Sequence, residues 1–466
     1  MKQLILCLAF WGCSGMLHAQ GIELNLQKCR KMAVDHSWKL QIAGQQELKA
    51  GYEKKSYRAN FLPKVSATGV YAYMQKKLEY KIDGGYLPVF DYRDVGAEKP
   101  IHSVVAGPDG NYVLGQYAFM PDIELALSLR NAYTAGLMLE QPVYMGGKVR
   151  SAFQMASIGV EMAGLNAKYS RAEVITEADE AYWQYLRVKE QARAADKYLE
   201  VVRELVRNVS DANATGMASQ NDLLKAQVKQ NEAELMAQKA ANGTALARMN
   251  LCRVIGVDLN SAVLVADSLQ EQITPGILEA SEDVAARPEY NLLEKQVELK
   301  AREVSLARAD FLPQLGVSVS YGYGDGLKLN GESEGEASFM AMASLKVPLY
   351  HWGEGRNKIK SLKAEEEMAR LKKEETAQFM LLEVARARYN VEDAATRVRL
   401  TRKSLSQAEE NLQVSKNRYE VGLETITNFM EAQAQWQKAW SDWIDARTEL
   451  RLNETYYLKA TGRLTD

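Results

Sequence analysis

Residues 58–63 read Arg-Ala-Asn-Phe-Leu-Pro, and residues 308–313 read Arg-Ala-Asp-Phe-Leu-Pro, 250 positions later. A second stretch, Pro142-Val143-Tyr144, returns as Pro348-Leu349-Tyr350, 206 positions later. Self-similarity of this kind indicates that one structural unit occurs twice in the chain. The duplication decides the fold, because the strand and helix patterns around these segments occur in both copies.

The two spacings define where the copies begin and end. The spacing of 206 pairs Gly216 with Gly422 and Gly256 with Gly462, so more than a hundred residues align without a gap. The larger spacing before Pro142 means that the first copy carries about 44 additional residues. We therefore predict a first repeat at residues 20–256, a linker at 257–286 and a second repeat at 287–466.

Each repeat begins with segments whose side chains alternate with a period of two. Residues 314–323 read Gln-Leu-Gly-Val-Ser-Val-Ser-Tyr-Gly-Tyr. This period is typical of a strand with one apolar face, and tyrosines at its end suit a membrane interface. The predicted strands lie at about 62–75, 120–143, 312–324 and 337–350, with an external loop at about 76–119. A half-buried sheet of a soluble protein has the same pattern and stays open as an alternative.

Four prolines are predicted at the junctions between strand and helix, because proline interrupts both kinds of backbone ladder. They are Pro63, Pro142, Pro313 and Pro348.

Each repeat continues as a long helical hairpin, predicted at 147–256 and 353–462. Large apolar residues recur every seven positions, with small residues three positions after them, which is the pattern of a close-packed coiled coil. In the second copy the large row is Val384, Val391, Val398, Leu405, Leu412 and Tyr419. A fully helical segment from 147 to 214 would be about 100 Å long.

The hairpin turns are short and contain helix-ending and helix-starting signals. Glycine favours the left-handed conformation that ends a helix, and Gly216 and Gly422 stand at that position. Serine, threonine, aspartate and asparagine favour the start of a helix. The predicted capping residues are Ser219 and Asp222 in the first turn and Thr425 and Asn428 in the second.

The two repeats supply four strands of the kind that faces lipid. Four strands are too few to close a membrane barrel, and open sheet edges are not tolerated in lipid. The strands must therefore be shared between chains, and three chains would supply twelve, within the known range of barrels. We predict a mainly α protein with membrane β structure, a trimeric 12-stranded β-barrel on an α-helical barrel.

The first nineteen residues have the features of a secretory signal peptide. Lys2 precedes a short apolar core, and Ala19 precedes the predicted cleavage site, so residues 1–19 would be removed. A lipid on Cys13 is the alternative. The mature chain retains Cys29 and Cys252, which either form a disulfide, as export permits, or remain two buried thiols.

Composition and motifs argue against catalysis and nucleic-acid binding. The formal net charge is -2, so no basic surface for nucleic acid is indicated. The mature chain has only His36, His102 and His351, and no histidine or cysteine cluster has metal-ligand spacing. We expect no catalytic residues, no metal site and no cofactor.

These features resemble the TolC family of outer-membrane efflux proteins, also called outer membrane factors. The resemblance rests on the duplication, on Phe-Leu-Pro before a strand in each copy, and on Val421-Gly422-Leu423 at the second turn. It covers nearly the whole mature chain. It implies a homotrimer in outer-membrane lipid, a helical duct in the periplasm and an equatorial belt that includes the linker.

The resemblance also implies partners. In the family, the hairpin turns dock a periplasmic adaptor (a membrane fusion protein) that connects the duct to an inner-membrane pump. The implied docking residues are Val421, Gly422 and Leu423 in the second turn and Thr215, Gly216 and Met217 in the first. The first turn keeps only the glycine of the family's motif, and Asn428 stands where the family often has an acidic residue.

Three functions stay open at this point. The resemblance implies a passive exit duct, and small-molecule efflux is favoured among its uses only because it is the most frequent one. A type I secretion duct for polypeptides has the same sequence features. A periplasmic coiled-coil scaffold without a pore would account for the heptads but not for the strands or the signal peptide.

Overall fold

A computed structural model of the chain describes residues 22–76, 78–88, 104–114, 117–128, 131–279, 283–326, 328–329 and 335–464. The predicted signal peptide and Cys13 lie outside these residues. The chain divides into two compact units. The helical unit comprises Met1–Lys55, Ala152–Val304 and Asn357–Asp466, and the strand unit comprises Ser56–Ser151 and Ser305–Arg356.

Helices make up most of the described chain, which confirms the prediction of a mainly α protein. Their bounds are α1 Leu26–His36, α2 Trp38–Ala59, α3 Lys148–Ala214, α4 Gln220–Ile255, α5 Pro288–Ala309, α6 Glu354–Glu420 and α7 Ile426–Ala460. Helices α2 and α5 have 22 residues each, and α3 and α6 have 67 each. The equal lengths reflect the duplication. None of the helices described here is long and apolar enough to cross a membrane.

The apolar rows of the sequence hold the hairpins together. In α6 the side chains of Val384, Val391, Val398 and Leu405 are almost completely buried. Leu450 and Ala446 of α7 pack against this row. Burying a valine or leucine side chain contributes about 1.5–3 kcal/mol to the free energy of folding, so each heptad of the row adds to the stability of the hairpin.

The strands of both repeats form one antiparallel sheet in the strand unit. Its members, in spatial order, are β13 Glu336–Lys346, β11 Gln314–Asp325, β9 Ala132–Met145 and β2 Lys64–Ala72. The two repeats meet where β11 pairs with β9. Strands β2 and β13 are the edges, and none of their residues is buried.

The predicted strand at 120–143 was wrong, because the structure has two strands there. Strand β8 (Ile123–Ser128) ends before a turn at Asn131, and β9 begins at Ala132. Asn131 has a φ of 59°, a left-handed conformation that asparagine tolerates better than most residues. Strand β8 does not belong to the four-stranded sheet. It pairs with β3 (Leu78–Ile82) and β12 (Lys328–Leu329) in a separate three-stranded sheet.

The segment 76–119, predicted as an external loop, is not simply a loop, since most of its described residues form strands. They are β3, β4 Gly85–Pro88, β5 Val104–Ala106, β6 Tyr112–Leu114 and most of β7 Tyr117–Met120. Strand β4 pairs with β7, where the rings of Tyr86 and Phe119 meet edge to face with centroids 5.4 Å apart. Cross-strand aromatic pairs of this kind stabilise paired strands, so this part of the segment forms a two-stranded ribbon.

Pro142 was predicted at a junction but lies inside β9, three residues before its end. The register shifts there, because Gly316 pairs with Pro142 and Leu315 with Tyr144, which leaves Val143 unpaired. On the other side, pairing with β2 stops at Glu140. A proline is therefore tolerated beside a bulge where one flank of the strand has no partner. Among the other prolines, Pro63 precedes β2, Pro313 precedes β11, and Pro348 lies between β13 and α6.

The start of the described chain meets the linker inside the helical unit. Strand β1 (Ile22–Leu24) pairs in parallel with β10 (Val263–Val265). Leu24 is fully buried in the core cluster that also contains Cys29 and Cys252. Both cysteines are free thiols. The sequence left thiols or a disulfide open, and the structure has two buried thiols.

We expect neither cysteine to react while the protein is folded. Burial raises the pKa of the Cys29 thiol from 9.0 to about 12 and raises the pKa of Cys252 as well, and only the thiolate is reactive. Iodoacetamide labelling at mildly alkaline pH, read by mass spectrometry, should find no adduct on the folded protein and one on each cysteine after denaturation. A denatured, unreduced protein without adducts would contradict this expectation.

Candidate functional site

The two hairpin turns have the same backbone geometry. Gly216 has a φ of 79° and Gly422 a φ of 75°, values that favour glycine. The residue after each glycine, Met217 or Leu423, donates its N–H at 2.8 Å to the carbonyl five residues earlier. This bond closes the last turn of α3 and of α6. No atom lies within 4 Å of a Cβ placed at either glycine, so conformation and not space selects glycine here.

The returning helices begin with matching caps. The Ser219 hydroxyl oxygen accepts the Asp222 N–H at 3.1 Å, and the Thr425 hydroxyl oxygen accepts the Asn428 N–H at 3.3 Å. The Ser219 hydroxyl also donates to the Asp222 carboxylate at 2.6 Å. Each cap provides an acceptor for a backbone N–H of the first helical turn, which has no acceptor within the helix.

Ser219→Ala and Thr425→Ala are each expected to destabilise the first turn of α4 or α7 by about 1 kcal/mol, the usual effect of losing an N-cap. Hydrogen exchange of the amides in that turn should become faster while the rest of the helix is unchanged. Ser210→Ala, at an exposed position within α3, is the matched control. Equal exchange in the control and the cap variants would contradict the role of the caps.

The turns present apolar side chains to solvent. Val421 and Leu423 are 68% and 71% exposed, and Met217 is 85% exposed. The Thr215 hydroxyl lies within hydrogen-bond distance of the carbonyls of Asp211 and Ala212, so it is turned back toward its own helix. The second turn therefore offers two apolar side chains around its glycine, and the first turn offers one.

The ends of the two hairpins pack on each other. Leu205 and Val209 of α3 share a buried cluster with Phe429 of α7. The Phe429 ring stacks on Tyr419 with centroids 5.3 Å apart. Burial, assisted by the Asp222 carboxylate, raises the pKa of the Tyr419 phenol. The six residues implied to dock a partner thus belong to two turns supported by one shared core.

A cavity of about 190 Å³ lies beside this cluster, between the two hairpins. It is crossed by an ion pair in which the Lys416 ammonium donates to the Glu204 carboxylate at 3.2 Å. In the part of the chain that the structure describes, no group of three or more His, Cys, Asp or Glu side chains could hold a metal ion.

Comparison with known proteins identifies the family. The sequence profile described as outer membrane efflux protein matches residues 106–257 and 284–463. The chain belongs to the outer membrane efflux protein family. It is thus an outer-membrane protein of the TolC type, as the duplication and the second turn predicted.

Individual relatives of this efflux protein are distant in sequence. It is 24% identical over 336 residues to the pyoverdine export outer membrane protein OpmQ of Pseudomonas aeruginosa, covering 69% of this chain and 67% of that protein. It is 27% identical over 232 residues to the alkaline protease secretion protein AprF of the same species, covering 48% and 47%. The crystal structure of outer membrane protein VceC from Vibrio cholerae superposes with a TM-score of 0.69 at 17% identity, covering 94% of this chain and 96% of that one.

Buried charges that the sequence did not reveal attach the linker of this efflux protein to α7. The Arg451 guanidinium donates at 2.7 Å to Glu454 and at 2.9 Å to the Thr274 hydroxyl. Glu454 accepts the Thr274 N–H at 2.7 Å, and Arg447 donates to the Leu269 carbonyl at 3.1 Å. Burial lowers the pKa of both guanidinium groups. In the sequence, Arg447, Arg451 and Glu454 are recognisable only by their spacing of about one helical turn. Charged residues on a solvent-exposed helix face have the same spacing.

A second buried ion pair ties three helices together. Asp179 of α3 is fully buried and accepts two hydrogen bonds from the Arg30 guanidinium of α1, at 2.7 and 2.6 Å. The hydroxyl of Thr455 in α7 donates to the same carboxylate at 2.7 Å. Because its three members lie on α1, α3 and α7, this triad connects α1 to the other two helices.

Proposed function

We propose that this efflux protein is the outer-membrane exit duct of a tripartite system. Three chains would form one passive channel that receives substrates from a periplasmic adaptor and an inner-membrane pump. The observation that carries the proposal is the four-stranded sheet with two open edges.

The open edges favour a barrel shared by several chains. Within the described residues, β2 pairs only with β9 and β13 only with β11. In a bilayer each unpaired backbone group costs several kcal/mol, so both edges need partners. Since all neighbours in this sheet are antiparallel, β13 of one chain can pair with β2 of the next. Three copies would close a twelve-stranded barrel, and lipid would surround it.

Exposed apolar rows on the helices support the same assembly. The side chains involved are more than half exposed: Leu224, Val228, Leu235 and Leu246 on α4, and Leu371, Leu382, Tyr389 and Leu400 on α6. Their spacings of 4, 7 and 11 residues place each row on one helix face. Long apolar rows of this kind mark association surfaces. Neighbouring copies of the chain would cover them and line a periplasmic duct.

The turns supply the contact with the adaptor. Val421, Gly422 and Leu423 form an exposed apolar tip held rigidly by the closing hydrogen bond and the Thr425 cap. Thr215, Gly216 and Met217 form a second, less apolar tip. The sequence contains no phosphate-binding loop, so the inner-membrane pump would supply the energy for transport. The tips would attach the duct to the adaptor of that pump.

Two versions of this function differ in the substrate that passes through the duct. Small-molecule efflux is the first. A duct for secreted polypeptides is the second, supported by the similarity to a protein whose name is alkaline protease secretion protein AprF. A strain lacking the gene, with and without the restored gene, would be assayed for retention of a fluorescent dye and for proteins missing from the medium. Dye retention alone supports efflux, a missing protein supports secretion, and no change in either assay would contradict the duct.

A further inference from the structure

The two faces of the four-stranded sheet carry different side chains. Alternate residues of each strand share a face, and the register shows which residues of neighbouring strands lie side by side. One face is apolar in all four strands. Its residues include Val65, Leu137, Leu139, Val319, Tyr321 and Phe339. Under the proposed function this face contacts lipid.

The opposite face is mostly polar or small, which suits the lining of a water-filled lumen. Its residues include Ser66, Thr68, Glu140, Ser318, Ser320 and Lys346. Within the paired segments 64–72, 132–140, 316–324 and 336–346, the large apolar side chains on this face are exceptions, and most of them are methionines. They are Val70, Met138, Met340 and Met342.

The strand register brings the three methionines together. Ser320 of β11 pairs with Met340 of β13 on one side and with Met138 of β9 on the other, so these residues form one row across the sheet. Met342 lies two residues after Met340 and pairs with Ser318. With strands about 4.8 Å apart and about 3.4 Å per residue along each strand, the three Cα atoms lie within about 12 Å of one another. The methionine side chain is long and flexible, so three thioethers on one face can converge over this distance.

Small side chains leave the space between the methionines open. Ser318 and Ser320 lie between them, and the next residue of β11 on this face is a glycine in both directions. Met340 and Met342 are 59% and 52% exposed. The three thioethers therefore border a shallow trough whose floor is formed by serine and glycine.

Three neutral thioethers have a specific ligand chemistry. Thioether sulfur is a soft ligand that selects soft ions such as Cu(I), whereas Mg²⁺ and Ca²⁺ prefer oxygen. Glu140 lies on the same face two residues after Met138, and Lys64 pairs with it across the strands. The charges of these two neighbours oppose each other, so the thioethers decide which ion is preferred.

We propose that Met138, Met340 and Met342 form a binding site for a soft monovalent cation of the Cu(I) and Ag(I) class. The inference rests on the proposed function for its location, since the shared barrel would place three such sites, one per chain, on the wall of the lumen. It adds soft metal ions to the substrates that the duct can carry. A site made of thioethers has none of the histidine, cysteine or carboxylate ligands by which metal sites are usually recognised in a sequence.

Replacement of the three sulfurs tests the site. The full-length protein in mild detergent would be dialysed to equilibrium against Ag(I) in chloride-free buffer, and bound silver would be measured by elemental analysis. The wild type is expected to bind one Ag(I) per chain more than the site variant, which combines Met138→Leu, Met340→Leu and Met342→Leu. Leucine keeps the apolar character and approximate volume of methionine but removes the sulfur, so the sheet should fold unchanged.

Methionines outside the strand unit provide the matched control. The control variant combines Met162→Leu, Met236→Leu and Met368→Leu, which lie on α3, α4 and α6. It should bind as much Ag(I) as the wild type. Silver held by Cys29 and Cys252 is common to all variants and cancels in the comparison.

A single variant and a change of pH distinguish thioether ligation from other binding. Met138→Leu alters β9 alone and should weaken Ag(I) binding by about tenfold or more, since even the loss of an outer-shell partner costs that much. Binding should be the same at mildly acidic and neutral pH, because thioethers do not titrate. Equal Ag(I) uptake by the wild type and the site variant, both as trimers, overturns the site alone. A monomer in mild detergent overturns the proposed barrel, and with it the place of the site in a lumen.

Discussion

Asp179→Ala is expected to lower the free energy of unfolding of the helical unit by about 3–5 kcal/mol, the range observed when one partner of a buried ion pair is removed. The variant deletes the carboxylate that accepts hydrogen bonds from Arg30 and Thr455. The Arg30 guanidinium stays buried but loses the carboxylate with which it pairs. The midpoint of denaturant unfolding of the detergent-solubilised protein, followed by far-ultraviolet circular dichroism, measures the effect.

An exposed pair of the same chemistry provides the control. Arg370 and Glu367 of α6 form an ion pair whose side chains are half exposed. Water and salt screen such a pair, so Glu367→Ala should change the midpoint little. The double variant Arg30→Met with Asp179→Leu replaces the buried charges by apolar groups and should recover most of the loss. A midpoint for Asp179→Ala as high as that of Glu367→Ala would contradict the role of the buried pair.

Gly422→Val is expected to abolish export while the amount of trimer in the outer membrane stays unchanged. A β-branched residue is strongly disfavoured at a φ of 75°, so the turn must rearrange and displace Val421 and Leu423. The rest of the chain is spared, because no atom lies within 4 Å of the new Cβ. Export assays, with native electrophoresis of outer-membrane extracts, measure both quantities.

Two matched variants show which feature of the turn matters. Gly422→Asn should retain export, since asparagine tolerates a positive φ. Gly216→Val makes the same change in the first turn, at a φ of 79°, and tests whether Thr215 and Met217 also contact the adaptor. Normal export by Gly422→Val would rule out docking through the second turn. Loss of its trimer would assign the turn to assembly instead.

The helices were predictable because their signals are local and repeated. A seven-residue apolar row fixes which face of α6 is buried, and a glycine followed by a capping residue fixes where the hairpin turns. Because the sequence is duplicated, a helix end identified in one copy also predicts the matching helix end in the other copy. The equal lengths of α3 and α6 agree with this. The family follows from the same features, since its distinguishing pattern is the order of these segments.

The strands and the buried charges were less predictable, because they depend on distant partners. The alternation at Leu125 is the same whether the strand continues or turns at Asn131, and only pairing with β3 decides between them. The insertion contains few apolar runs, yet cross-strand contacts such as Tyr86 with Phe119 form a ribbon. Asp179 looks like any solvated helix residue until Arg30, far away in sequence, is placed beside it.

The native mass of the full-length protein, extracted from the outer membrane in mild detergent, tests most directly whether chains pool their four strands into one barrel. Mass spectrometry or light scattering corrected for bound detergent would measure it. The edges β2 and β13 predict a particle of three mature chains that survives dilution. A stable monomer would mean that these edges do not pair between chains, and it would contradict the shared barrel.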